Sequence, residues 1–469
     1  MQRSVALAFS EGVREAASRF VRTAAAVFIA LTLVAHGPAL AQDAAQAAPA
    51  ATAANQDFGP LFDAVVETTA KSFWDKERLD AVGWPKLAAE ARPSVLEAPN
   101  LDEAARRINA LLGKLKMSHT GLLTPDDVDY YVLLSVFGSS TLPREEADDR
   151  FWGAGVTYAG IGIFSARIDG CDFVDLLLEG SPAERAGMKV GDEIVSVDDA
   201  PYHQIRSFRG KAGSIIRVAI RREKDGPVIT LPVKVVTIAP LHAFREATRA
   251  SARVIERDGR RIGYVHVWAS VGDESSGALQ GALSRLGVGA STYYPKAEKE
   301  KHKPLDGLIV DMRGKIGGTA TTAGRYLDLL DPRGPLLNSR ERSPSTHSNT
   351  PLRGRTAVLI DHHTRSTGEL FVHAYKRERQ GPLIGTRTAG AVSAARAFAM
   401  PGGNLLYLAV SGLQIDGEVL EGPGVAPDVE VARPLPYAQG ADPVLDAAVE
   451  ALAVKAARPL QDRQKGAGP

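Results

Sequence analysis

Apolar positions follow three regimes along the chain. From 58 to 117 they recur at helical spacing. Leu61, Val65, Val66, Ala70 and Phe73 make one stripe and 101–115 repeats it, with Asn100 placed to cap the second helix. Between about 152 and 240 the apolar runs are short and β-branched, as at 215–220 and 228–236, with glycine-containing turns between them, which predicts a β-rich segment. From about 260 the two periods alternate. Stretches 262–268, 308–312, 357–361 and 405–410 read as strands, and 273–286, 318–330 and 366–378 as helices. Such alternation belongs to an α/β domain. The expected class is α/β within a multidomain α+β chain.

The ends read differently. Arg14, Arg19 and Arg22 precede an apolar run at 23–35, followed by Gly37-Pro38 and Ala39-Leu40-Ala41. A basic flank, a short apolar stretch and a small-x-small end describe a secretory signal over 1–41, cleaved after Ala41. The run is shorter than the roughly 20 apolar residues that a spanning helix needs, though an uncleaved anchor is the alternative. Residues 42–57 read as a disordered linker and 456–469 as a polar tail. The expected domains are therefore 58–150 helical, with a polar stretch at 139–150, then 152–240 β-rich and 241–455 α/β.

Composition narrows the partners. Among 469 residues, 56 Lys and Arg balance 55 Asp and Glu, so no basic excess is available to a phosphate backbone and nucleic acid is not an expected partner. Removing 1–41 takes the formal charge from +1 to −1. No stable membrane insertion is expected after that cleavage. The single cysteine, Cys171, excludes an internal disulfide and a multi-cysteine zinc site, and reads as a buried or inert thiol.

In the β-rich segment, Gly160-Ile161-Gly162-Ile163 opens a strand. Gly180-Ser181-Pro182-Ala183-Glu184-Arg185-Ala186-Gly187 follows as a short helix with its start and stop signals, and Val190-Gly191-Asp192-Glu193-Ile194 as a turn and strand. This run resembles PDZ domains. The resemblance implies capture of extended chain ends by a sheet edge, with the carboxylate loop near Gly160, Ile161, Gly162 and Ile163, or else a structural spacer or lid.

In the α/β segment an apolar strand at 357–361 gives way to a short polar turn and a helix beginning at Ser366. A serine there can expose its hydroxyl where helix N–H groups favour negative charge. Ser366-x-x-Glu369 is equally a capping box. A second strand–turn–helix holds Asp311-Met312-Arg313-Gly314-Lys315-Ile316-Gly317-Gly318, whose glycines allow close backbone approach. His362-His363 hints at metal chemistry, but no carboxylate cluster accompanies it and solvated turn residues are expected. No metal and no cofactor is expected.

Those two strings occur in order with Glu421-Gly422-Pro423-Gly424-Val425-Ala426-Pro427-Asp428, behind the PDZ-like run. Together they resemble the C-terminal processing, or tail-specific, serine peptidases and the related tricorn core. The resemblance implies a peptidase domain with crotonase-like βαβ units, protein or peptide substrates, and a possible homo-oligomer. The Ser–Lys branch places its lysine where this chain has Ala391, and alanine accepts no proton; Lys376 lies about 15 Å along the helix from Ser366. The tricorn-like branch uses Ser, His, Ser and Glu, matching Ser118, His119, Ser366 and Glu421. It implies Ser366 as nucleophile, His119 as base, Ser118 and Glu421 as orienting groups, and the amides of Gly317 or Gly318 and Thr367 as oxyanion hole. Lys315 stands where the family has asparagine. The rival reading is an inactive PDZ-containing peptide-binding scaffold.

Overall fold

The computed structural model describes residues 57–141, 155–288, 304–314, 316–318, 322, 326, 355–414 and 417–455. The expected signal, nearly all of the linker, residues 142–150 of the polar stretch, Lys315, most of the helix expected at 318–330 and the polar tail lie outside the described residues.

The described residues begin with four helices, α1 (Gly59–Ser72), α2 (Lys76–Val82), α3 (Trp84–Leu96) and α4 (Leu101–Leu112). Asn100 caps α4 through its side chain, which accepts from the Glu103 N–H at 2.9 Å. On α1 the buried stripe runs through Leu61, Phe62, Val65 and Thr69, while Ala70 faces out. A polar Thr took the core position that apolar spacing had given to its neighbour. Next come β1 (Gly121–Leu123) and α5 (Val128–Thr141).

The β-rich segment follows with β2 (Tyr158–Gly160), β3 (Ile163–Ile168), β4 (Cys171–Leu177), α6 (Pro182–Arg185), β5 (Glu193–Val197), β6 (Ile215–Arg221), β7 (Val228–Lys234) and β8 (Val236–Ile238). Strands β3 to β7 form an antiparallel sheet in sequence order, leaving β3 at one edge, and β2 pairs with β8. Val174, Ile194, Val218, Ile220 and Val233 fill its core.

The last third contains α7 (Pro240–Ser251), β9 (Arg253–Arg257), β10 (Arg260–His266), α8 (Gly272–Arg285), β11 (Gly307–Asp311), β12 (Thr356–Ile360), α9 (Thr367–Arg377), β13 (Leu383–Gly385), β14 (Ala394–Met400), β15 (Asn404–Ser411), β16 (Val429–Glu430) and α10 (Pro443–Lys455). A six-stranded sheet runs β16-β13-β12-β11-β10-β9, parallel except for β9. Its strands are apolar on both faces because both are covered. Val310, Val358 and Ile360 pack with α8 and α9, while the alternate residues Ile309, Ala357 and Leu359 pack with α10.

Stretch 405–410 is a strand, but not of this sheet. It lies in β15, between β1 and β14 in a separate three-stranded sheet. Met400, Leu406, Leu408 and Ala409 share one core with α1 and α4. The front helices thus complete their core on residues near the chain's far end, which brings 118–119 beside the C-terminal segments.

Candidate active site

The site lies beyond the carboxyl ends of the parallel strands, where open α/β sheets place their ligands. Beyond β12, the turn from Asp361 reverses the chain before α9. Asp361 Oδ1 accepts from the N–H groups of His363 and Thr364 at 3.0 Å each and from Gly314 N–H at 3.2 Å. Ser366 then adopts φ 55° and ψ −124°, a conformation that L residues avoid. Its N–H donates to the Ala391 carbonyl at 2.8 Å.

The serine half of the capping box is not formed. Ser366 makes no side-chain cap bond. Glu369 turns inward instead, accepting from Thr388 Oγ1 at 2.6 Å and from the N–H groups of Gly390 and Ala391 at 2.8 and 2.7 Å. The serine is therefore held in a strained backbone conformation by its surroundings, with its hydroxyl not engaged in capping.

A second cluster sits at the far end of residues 388–393. Glu421 Oε2 accepts from the N–H groups of Val392 and Ser393 at 3.0 and 2.9 Å, and its Oε1 from Ser118 N–H at 2.9 Å. The Ser118 hydroxyl donates to Glu421 Oε2 at 3.0 Å and lies 2.7 Å from His119 Nδ1. Burial pushes the Glu421 carboxyl up, but the bonds donated by Ser118, Ser393 and Val392 outweigh it and hold it below its ordinary value. Burial draws the His119 imidazole down to about 4, with Glu421 opposing and Arg365 adding to the fall. The ring is neutral at pH 7.

Ser118 and His119 line a cleft of about 520 Å³ together with Arg365, Ala391, Tyr407 and Phe164. Arg365 precedes Ser366 and Ala391 bonds its amide, so the flanks of the serine and the imidazole border one cavity. No hydrogen bond links the Ser366 hydroxyl to His119 among the described residues. Phe164 and Ser165 bring β3, the edge strand of the β-rich sheet, into the same cleft.

Gly317 and Gly318 have φ 106° and 150°. A Cβ on Gly317 would sit 3.0 Å from Ser366 Cβ, and one on Gly318 only 1.9 Å from the Ser270 carbonyl oxygen. Gly318 is required because the Ser270 backbone passes so close, while Gly317 is favoured by its positive φ and faces the Ser366 side chain. Thr367 is buried, its hydroxyl 2.9 Å from Ser270 Oγ. In the β-rich segment, Gly160 ends β2, Ile161 and Gly162 turn, and Ile163 starts β3. The carbonyls of Ile161 and Gly162 accept from Ala183 and Leu178 N–H at 3.0 Å each.

The paired histidines need a correction. His362 is exposed, but His363 is half-buried and its Nε2 lies 2.8 Å from Asp175 Oδ2 on β4. Arg433 holds the other Asp175 oxygen at 2.6 Å. Sequence spacing did not reveal this pairing because its members are 188 positions apart. Lys376 is engaged elsewhere, donating to the Ala426 carbonyl at 2.7 Å. Cys171 is partly exposed at the start of β4. No group of three or more metal-binding side chains occurs among the described residues. No helix among them is long and apolar enough to cross a membrane.

Residues 261–431 match the model of peptidase family S41, and residues 173–222 match that of the PDZ domain. Over those residues the chain is similar to peptidase family S41 and to PDZ domains. Two curated relatives are the Streptomyces coelicolor protein described as tricorn protease homolog 2, 26% identical over 80% of this chain and 30% of that protein, and the carboxy-terminal processing protease CtpB of Bacillus subtilis, 24% identical over 61% and 57%. The chain thus spans less than two thirds of the length of either. Among solved structures, the photosystem II D1 C-terminal processing protease aligns over 82% of this chain and 97% of its own at 21% identity, with a TM-score of 0.44. The family match covers Gly317, Gly318, Ser366 and Glu421, while Ser118 and His119 lie in front of it.

Proposed function

We propose that this chain is an exported serine peptidase acting on protein or peptide chains, with Ser366 as nucleophile and His119 as its base. The observation that carries the reading is the line Glu421–Ser118–His119, ending on the cleft that the flanks of Ser366 also border. An ionised carboxylate only accepts hydrogen bonds, so the Ser118 proton points at Glu421. The Ser118 oxygen then accepts from His119, which places the ring proton on Nδ1 and leaves Nε2 as the basic atom.

The chemistry follows from that tautomer. Nε2 takes the Ser366 proton as the oxygen attacks the peptide carbonyl. The imidazolium that forms is stabilised through Ser118 by Glu421, and then gives the proton to the departing amine. The N–H groups of Thr367 and of Gly317 or Gly318 receive the oxyanion. Closing the hydrogen bond from Ser366 to His119 is assigned to substrate binding, since catalytic bonds often tighten only in the complex. The β3 edge, contributing Phe164 and Ser165 to the cleft, is where an extended chain would add as a further strand. Export rests on residues 1–41, and N-terminal sequencing of the secreted protein tests it.

The deciding experiment is labelling of the purified full chain with a fluorophosphonate, with Ser366→Ala as control. Labelling of the wild type alone supports the reading. No labelling of the wild type, with the fold intact by circular dichroism, leaves the peptide-binding scaffold.

A further inference from the structure

Arg365 immediately precedes the nucleophile and lines the same cleft as Ser118, His119 and Tyr407. It is half-buried. Its Nε makes one long bond, 3.4 Å, to the carbonyl of His363. Among the described residues its guanidinium forms no ion pair. The other charged groups on this cleft are committed or stand off. Asp175 is held by His363 and Arg433. Asp127 accepts from Thr124 N–H and Oγ at 2.7 and 2.9 Å. Asp129 feels the charge of Arg365 without reaching ion-pair distance.

A guanidinium offers five N–H donors in a plane that matches a carboxylate two at a time, and half-burial without an anion is costly. Its position is also a burden on the chemistry. The charge helps to depress the His119 imidazole and repels the imidazolium that catalysis must form. Both penalties vanish when an anion sits on Arg365 during turnover. The first turn of α9 starts two residues later, at Thr367, so its N–H groups add to the positive field there.

We propose that Arg365 binds a substrate carboxylate next to the scissile bond and makes the enzyme selective for chains that present one there. The inference rests on the peptidase reading and deepens it. The anion has two possible sources, the α-carboxylate of a chain end or an Asp or Glu side chain, and the guanidinium meets the same chemistry in both.

The test uses the full chain and a peptide it cleaves, found by mass spectrometry of a digested unfolded protein. Around that bond four peptides are compared: the free acid ending shortly after it, the matching C-terminal amide, and internal peptides carrying Glu or Gln beside it. Wild type is expected to favour one carboxylate peptide over its neutral match by about tenfold or more in kcat/KM. Arg365→Gln should collapse that ratio to near one, and Arg365→Lys should keep part of it, as a point charge without the planar fork. A penalty on amidation identifies the chain end, and a penalty on Glu to Gln identifies the side chain. Equal cleavage of charged and neutral peptides by wild type overturns the inference, as does an Arg365→Gln loss shared equally by both. If Ser366 labels but no preference appears, only this inference falls. If Ser366 does not label, the peptidase reading falls and takes it along.

Discussion

The Ser118 hydroxyl stands 2.7 Å from Nδ1 of its own neighbour, His119. Adjacent side chains rarely meet this way in regular structure, since strand neighbours point to opposite faces. Here His119 has φ 52° and Lys116 φ 46°, so two left-handed residues bend the chain before β1 and turn both side chains to one side. Glu421 then fixes the direction of the Ser118 proton. Ser118→Ala and Glu421→Gln should each lower kcat by roughly 10²- to 10⁴-fold with little change in KM, as expected for groups that orient a base rather than hold substrate. Steady-state kinetics on any cleaved peptide reads this. A loss confined to KM would argue that the pair only shapes the cleft.

The pH profile should carry the mark of the buried imidazole. In the proposed mechanism His119 must be neutral to accept the proton, and its imidazole is drawn down to about 4. Activity should therefore climb as pH rises through about 4 and stay flat across neutrality, instead of climbing near the ordinary histidine value of about 6.5. Arg365 contributes to the depression, so Arg365→Gln should move the acid limb upward. The readout is kcat/KM against pH, with Ser366 labelling rate as a second measure.

His266 titrates in the opposite sense. Its Nε2 lies 2.8 Å from the Arg313 carbonyl and its Nδ1 2.7 Å from Glu179, so both ring nitrogens donate and the ring is an imidazolium. Burial opposes that charge, yet Glu179 and Asp311 outweigh it and lift the group to about 9. A histidine raised on folding adds stability that is fully present below its unfolded value near 6.5 and is lost as pH rises through about 9. Thermal unfolding temperature should fall over that window. Glu179→Gln should cost about 3 kcal/mol at pH 7, because it strips one partner from a buried charge, and should flatten the alkaline loss. An unchanged slope between pH 6.5 and 9 in the variant would show that His266 is not the group responsible.

Much of this was legible in the sequence, for identifiable reasons. The strands of the central sheet are continuous apolar runs, which only burial on both faces explains, and Asn100 signalled its helix start by local chemistry. Two kinds of fact were hidden. Strand 405–410 was visible as a strand, but its partner β1 is separated from it by some 280 positions, and spacing says nothing about which sheet a strand joins. The roles of Glu369 and His363 were concealed because capping and solvated turns are the local defaults for those residues. Contacts across the fold redirected both. Arg365 carried no pattern at all. Its place on the cleft follows only from the turn that also strains Ser366.

The two glycines before the sheet's second turn separate stability from reactivity. A Cβ on Gly318 would lie 1.9 Å from the Ser270 carbonyl oxygen, which is backbone and cannot swing aside. Gly318→Ala must move the whole turn and should destabilise the protein by about 1–3 kcal/mol. Gly317→Ala meets a softer neighbour, the Ser366 side chain, with 3.0 Å to Cβ and 3.3 Å to Oγ. At φ 106° it also carries backbone strain, but the added methyl presses on the Ser366 side chain, the proposed nucleophile. Gly317→Ala should therefore slow fluorophosphonate labelling by on the order of tenfold or more while unfolding closer to the wild-type temperature than Gly318→Ala does. Measuring labelling rate and thermal unfolding on both variants distinguishes the two effects. A Gly317→Ala protein that labels at the wild-type rate would place the reacting oxygen away from this turn, and the oxyanion donors would have to be sought elsewhere around the cleft.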